Sequence, residues 1–254
     1  MNDVMTIAND AYRDATKRKG VTFFLLFLAI AQVAVFSLYE EISLGIHEKM
    51  IKDASLGILY LVGIISAMAL AFQVPRELRE RTAMTLFAKP MGRESYLAGK
   101  VLGTGMLSLR NMFFVALGVL ALVKLVQPDL LDQEFVKGYG QAFILIFVAS
   151  VSLAAISLLM SLFMSEGSVV IGLVVVLVLG NASFGLAQGE GSLSFIGAVL
   201  SYILPNLFLL DIKTEAAAGL TTSSSYVFMG LLYGLSYTVM IVSLSMVLFR
   251  KRDL

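Results

Sequence analysis

Residues 141–164, "QAFILIFVASVSLAAISLLMSLFM", form a run of 24 residues without a single charge. A helix needs about 20 apolar residues to cross a hydrocarbon core of about 30 Å, so this run predicts a membrane span. The composition of the chain supports the same class: 58% of its 254 residues are hydrophobic and 15% are charged, whereas about 25% are charged in soluble domains. The sequence therefore predicts an all-α integral membrane protein.

Five further runs have the length of a membrane span. Four of them are uncharged, and the fifth, 101–126, is counted because its Arg110 and Lys124 have long stems that can reach an interface. We therefore predict a polytopic protein of one membrane domain, residues 1–254, with six transmembrane helices at 21–39, 55–74, 101–126, 141–164, 168–187 and 226–249.

The distribution of basic residues predicts the orientation of these spans. With six spans and a cytoplasmic N-terminus, clusters of Lys and Arg at 13–19, 76–100 and 250–252 all fall on the inner side. This agrees with the positive-inside rule. The protein is therefore predicted to lie in the cell inner membrane with both termini on the cytoplasmic side. A seventh span at 193–212 would reverse the C-terminus. We therefore interpret that run, which Pro205 and Asn206 interrupt, as part of a broken or re-entrant outer-side hairpin at 188–225.

The N-terminal segment 1–20 is amphipathic and leads directly into the first span. Its apolar residues recur at helical spacing on one face, as Val4, Ile7, Ala8, Ala11, Tyr12 and Ala15. This pattern predicts an interfacial elbow helix that is retained in the mature chain. A solvated helix that packs against a partner remains the alternative.

The longest predicted cytoplasmic segment, 75–100, reads "PRELRERTAMTLFAKPMGRESYLAGK". We expect the second span to end at Pro75 and a separate amphipathic helix to follow from 76 to 88, before Pro90 ends it. Leu78 and Leu86 share one side of that helix. Because acidic residues alternate with the basic ones, this surface favours docking to a soluble protein over attraction to anionic lipid.

Together with the preceding span, this segment resembles the permeases of ABC type-2 transporters. The resemblance rests on an acidic residue and Thr followed by Leu, then Lys-Pro-x-x-Arg and Gly-Lys, within "RELRERTAMTLFAKPMGRESYLAGK". The elbow, the six spans and the outer hairpin also resemble that family, so the similarity covers the whole chain. The nearest branch resembles permeases of multi-copper enzyme maturation and nitrous-oxide-reductase assembly.

The resemblance implies a coupling helix, on which a separate ABC ATPase (nucleotide-binding) subunit acts. Its residues would be Glu77, Glu80, Arg81, Thr82, Leu86, Pro90 and Arg93. Glu166, in the turn "MSEGS", is either a second contact with that subunit or a plain polar turn residue. The resemblance further implies a dimer with a second permease copy or homologue, and ATP and Mg²⁺ bound by the partner ATPase.

Arg110 is the basic residue deepest in a predicted span. It lies ten residues beyond Lys100, which is roughly 15 Å along a helix. A charge at that depth is costly and usually functional. If the third span begins late, Arg110 instead marks the inner interface, and both interpretations stay open.

The sequence has few of the residues that catalytic or metal sites use. It lacks the Walker A pattern G-x-x-x-x-G-K-[ST] and has no Cys and a single His, His47, so we expect no enzyme activity, no metal site and no cofactor of its own. An ion-coupled secondary transporter is the alternative, but its coupling normally needs an acidic residue or His within a span. A further alternative is a non-transporting relay that acts on an outer-side accessory protein.

Overall fold

The computed structural model describes residues 2–17, 28, 47–80, 92–126, 128–187 and 192–250. Across these ranges the ordered elements are helices, which confirms the predicted all-α class for the described part. They are α1 (Asn2–Lys17), α2 (His47–Ala67), α3 (Ala69–Arg79), α4 (Arg93–Val126), α5 (Gln133–Ser161), α6 (Glu166–Ala187), α7 (Ser192–Ile203), α8 (Lys213–Ala217) and α9 (Ser224–Arg250), with short 3-10 turns at Pro128–Leu130 and Leu207–Leu210.

Four helices of the described ranges are long and apolar enough to cross a membrane. They are Glu48–Arg79, which joins α2 and α3, and Glu94–Leu125, Gln133–Ser161 and Ser224–Arg250. The apolar helix α6 covers the range predicted for the fifth span. The predicted first span, 21–39, lies outside the described residues apart from Leu28. The long apolar helices indicate a multi-pass protein, and the count of six spans stays a prediction.

Helix α5 lies at the centre of the bundle. It contacts α2, α3, α4, α6, α8 and α9, and its small residues let these neighbours approach closely. Because successive long helices run in opposite directions, the bundle has two ends. We call them the Lys52–Asp132 end and the Arg79–Glu166 end, after the ion pair found at each.

The helix of the second predicted span does not stop at Pro75, so that prediction is wrong. Helix α3 continues through Pro75 to Arg79, and the interruption lies earlier, at Met68. There the Ala71 N–H donates to the Met68 carbonyl oxygen at 3.0 Å, a tightened turn between α2 and α3. Pro75 removes one backbone donor, which an apolar helix tolerates when packed neighbours surround it. The predicted helix at 76–88 thus begins inside α3, and its residues beyond 80 lie outside the described part.

The N-terminal helix α1 packs along the first half of α4. A β-carbon added at Gly99 would lie 2.7 Å from Ile7 Cβ, and one at Gly103 would overlap the Ala8 carbonyl oxygen and lie 2.8 Å from Ala11 Cβ. Residue numbers rise together on both helices, so α1 and α4 run parallel. The apolar face that the sequence assigns to the membrane interface is therefore buried against α4 of the same chain.

The predicted break in 193–212 is present, and α9 satisfies the backbone groups that it frees. Helix α7 ends at Ile203, before Pro205 and Asn206. The Tyr233 hydroxyl accepts from the Asn206 N–H at 2.7 Å, and the Tyr237 hydroxyl donates to the Ile203 carbonyl at 3.1 Å. Non-helical backbone in an apolar bundle needs such partners, since lipid offers none.

Candidate partner interface

At the Arg79–Glu166 end, the end of α3 meets the turn between α5 and α6. The Arg79 guanidinium forms an ion pair with the Glu166 carboxylate. Glu166 begins α6, where the helix dipole favours a negative charge. An exposed pair of this kind contributes little stability. Its significance is positional, because two residues that the sequence analysis assigned to the cytoplasmic side lie at one surface.

A cleft of about 260 Å³ lies beside this ion pair. Two large apolar side chains at its edge, Phe163 and Met164, are 61% and 46% exposed. The cleft is lined by Pro75, Leu78, Arg79, Ser161, Leu162, Phe163, Met164, Ser165 and Glu166. Apolar side chains inside a rim of charge are typical of surfaces that bind another protein.

Glu80 and Arg76 form a second exposed pair at this surface. Glu80 caps the end of α3, and its carboxylate accepts from the Arg76 Nε at 2.9 Å. Arg93 opens α4, and the other predicted contact residues, Arg81, Thr82, Leu86 and Pro90, lie outside the described part. Glu80 is thus the predicted coupling-helix residue that the structure places on the surface.

Glu77 instead faces α4 and is partly buried. Its carboxylate accepts a hydrogen bond from the Tyr96 hydroxyl at 2.7 Å and forms an ion pair with Lys100. The Lys100 side chain is 6% exposed and the Glu77 side chain 23%. The Lys100 ammonium also lies 5.6 Å from the centre of the Tyr96 ring. These contacts join the end of α3 to the start of α4.

The same cluster reaches the last helix. The Tyr96 ring stacks on Phe249 of α9 with ring centres 6.2 Å apart, and both side chains are 1% exposed. Next to them, Arg250 forms an exposed ion pair with Glu94. The sequence pattern does not predict this cluster, because it places Glu77 on a surface helix. The available signal was a Glu on one side of the loop and a Lys on the other.

Arg110 holds α1 against α4. Its guanidinium makes four hydrogen bonds, two to the Asn111 side-chain oxygen, one to the Tyr12 hydroxyl and one to the Thr16 hydroxyl. It also lies 5.2 Å from the centre of the Tyr12 ring. Asn111 in turn donates to the Ser66 hydroxyl of α2 at 3.0 Å. Neutral acceptors thus occupy most of the guanidinium donors, and this geometry is that of a clamp between helices.

The Lys52–Asp132 end carries a capped helix start. The Asp132 carboxylate accepts from the Phe135 N–H at 2.5 Å, which caps α5, and from the Lys52 ammonium at 3.0 Å. The backbone hydrogen bond from Phe135, helped by the Lys52 charge, lowers the pKa of Asp132 below its ordinary value of 3.8. Lys52 itself is buried and also lies 5.1 Å from the centre of the Phe135 ring.

The four long apolar helices of the described residues are of the kind that cross a membrane. Residues 5–254 match the family described as ABC-2 family transporter protein, and the chain belongs to that family. No curated protein matches the chain.

Proposed function

We propose that this chain is the transmembrane permease subunit of an ATP-binding cassette exporter. Its family supports this role, and the chain has no Walker A sequence with which to bind ATP. ATP and Mg²⁺ would be bound and hydrolysed by a separate ATPase subunit, so that the permease is not itself an enzyme. Two permease chains, identical or homologous, would form the membrane part.

In this proposal the Arg79–Glu166 end faces the cytoplasm of the cell inner membrane. Four basic residues of the predicted inner clusters lie at that end: Arg76, Arg79, Lys100 and Arg250. The positive-inside rule favours their cytoplasmic position. The N- and C-termini then both lie inside.

The ATPase would contact the coupling segment 75–100 and, as a second contact, the turn that carries Glu166. The observation that carries this proposal is the Arg79–Glu166 ion pair, because it holds these two elements together beside the 260 Å³ cleft. A soluble subunit that docks there would touch the exposed Phe163 and Met164 and the charged rim around them. Movement of the ATPase would be passed to α3, α4 and α6 at once.

Exchange of an apolar contact residue tests the docking role. We expect Leu86→Asp to leave the chain in the membrane but to separate it from its ATPase, since a buried charge at the contact costs several kcal/mol. Leu220→Asp is the matched control, because Leu220 is 61% exposed near the start of α9, at the other end of the bundle.

The measurement is purification of each variant from native membranes, with the ATPase identified by a Walker A peptide in mass spectrometry and by ATP hydrolysis of the complex. The proposal is supported if the Leu220 variant retains the ATPase and the Leu86 variant loses it. Equal amounts of ATPase with both variants would contradict the docking role of Leu86.

A further inference from the structure

We infer that Glu77 is a positioning residue that joins α3, α4 and α9 into one mechanical unit, rather than a residue that contacts the ATPase. This inference rests on the proposed function, because it concerns how the permease receives a movement from its partner. It differs from that proposal because Glu77 is taken to contact α4 of the same chain, and not the ATPase.

Glu77 and Glu80, at the end of α3, differ in their partners. Glu80 is 48% exposed and pairs with Arg76 on its own helix. Glu77, three residues earlier, is engaged by Tyr96 and by Lys100 of α4. A partner that drew the Glu77 carboxylate away from α4 would break these bonds and leave the buried Lys100 ammonium without its counter-charge, which is strongly unfavourable.

Tyr96 connects Glu77 to α9. Tyr96 donates to Glu77 on one side and stacks on Phe249 on the other. Stacked aromatic pairs prefer a narrow range of geometries, so a displacement of α4 is resisted at this contact. The Glu94–Arg250 ion pair adds a second link between the same two helices.

Three side chains of this cluster are closely packed. Tyr96 and Phe249 are 1% exposed and Lys100 is 5% exposed, so their side chains have packed neighbours on all sides. Closely packed contacts transmit displacement instead of absorbing it. When a partner displaces the end of α3, α4 and the end of α9 must move with it.

The chain has no cysteine, which permits a direct distance measurement. Spin labels on Phe72→Cys in α3 and Val247→Cys in α9 report the separation of the two helices, since both positions are exposed, at 39% and 51%. The complex with the ATPase is measured without nucleotide and with ATP, Mg²⁺ and vanadate. Glu77→Gln removes the ion pair, and Glu134→Gln, at an exposed position in the first turn of α5 at the other end of the bundle, is the matched control.

We expect one unchanged distance in both nucleotide states for the unsubstituted chain and for Glu134→Gln. For Glu77→Gln we expect a nucleotide-dependent shift or a second distance, while the ATPase still copurifies. A Glu77→Gln distribution identical to that of Glu134→Gln would overturn the inference and leave the proposed function intact. Loss of the ATPase from Glu77→Gln alone would also overturn it, since Glu77 would then be a docking residue.

The charge-reversed pair Glu77→Lys with Lys100→Glu covers the case in which Glu77→Gln fails to fold. Recovery of the folded complex and of the single distance supports the inference, because only the mutual attraction is retained. Failure of the reversed pair to restore either one would overturn it. If no ATPase copurifies with the unsubstituted chain, the proposed function fails and the inference fails with it.

Discussion

The close contact between α1 and α4 makes Gly103 a sharp test of the architecture. Two glycines of α4 differ only in their surroundings: a β-carbon at Gly118 meets nothing within 4 Å, whereas one at Gly103 overlaps the Ala8 carbonyl and lies 2.8 Å from Ala11 Cβ. The same substitution, glycine to alanine, therefore tests packing at one position and helix propensity alone at the other.

The expected change in the free energy of unfolding differs between the two positions. In a helix interior Gly→Ala is favourable by about 1 kcal/mol, so Gly118→Ala is expected to raise the free energy of unfolding by about that amount. At Gly103 the carbon atoms need a separation of about 3.5 to 4.0 Å, so α1 must withdraw by roughly 1 Å. Overpacking of this kind costs about 1 to 3 kcal/mol. The two variants should therefore differ by about 1 to 3 kcal/mol, because the propensity gain is common to both.

Thermal unfolding in detergent measures the difference, at about 2 to 4 °C per kcal/mol for a chain of this size. A local assay accompanies it: Ile7→Cys, buried under α4 at 5% exposure, should react slowly with a maleimide and faster when Gly103→Ala is added. Met5→Cys, 63% exposed, is the labelling control. Equal melting temperatures for the two alanine variants, with unchanged labelling of Ile7→Cys, would refute the described packing.

Two further predictions concern the polar contacts of the bundle. Arg110→Lys should increase the labelling of Ile7→Cys, because an ammonium cannot reproduce the planar fork that binds three partners at once; labelling equal to the unsubstituted chain would show that Arg110 does not hold α1. Asp132→Asn should keep the helix cap but leave the buried Lys52 ammonium without its counter-charge, which lowers the free energy of unfolding. Since the folded pKa of Asp132 is lowered, this difference should be present above pH 3.8 and disappear as the pH falls through that lowered pKa, which melting curves between pH 7 and pH 3 would reveal; a gap that persisted in acid would contradict the role of the charge.

Helix content and membrane class were predictable because they depend on local composition. The run 141–164 needs no knowledge of its neighbours to predict a span, and α5 covers most of it. The break near Pro205 was predictable for the same reason, since proline lacks a backbone donor and clashes with the preceding turn of a helix. Pro75 shows the limit of this reasoning, because packed neighbours allow α3 to continue through it.

The family and the apolar helices are what the sequence by itself determined, because a motif and the length of an apolar run are properties of a single segment. The tertiary structure alone decided that Glu77 turns inward to Lys100 while Glu80 remains at the surface. It likewise decided that Arg110 binds α1. The physical reason is that the partner of a charge depends on the rotation of one helix against another, and this rotation is set by packing between residues far apart in the chain.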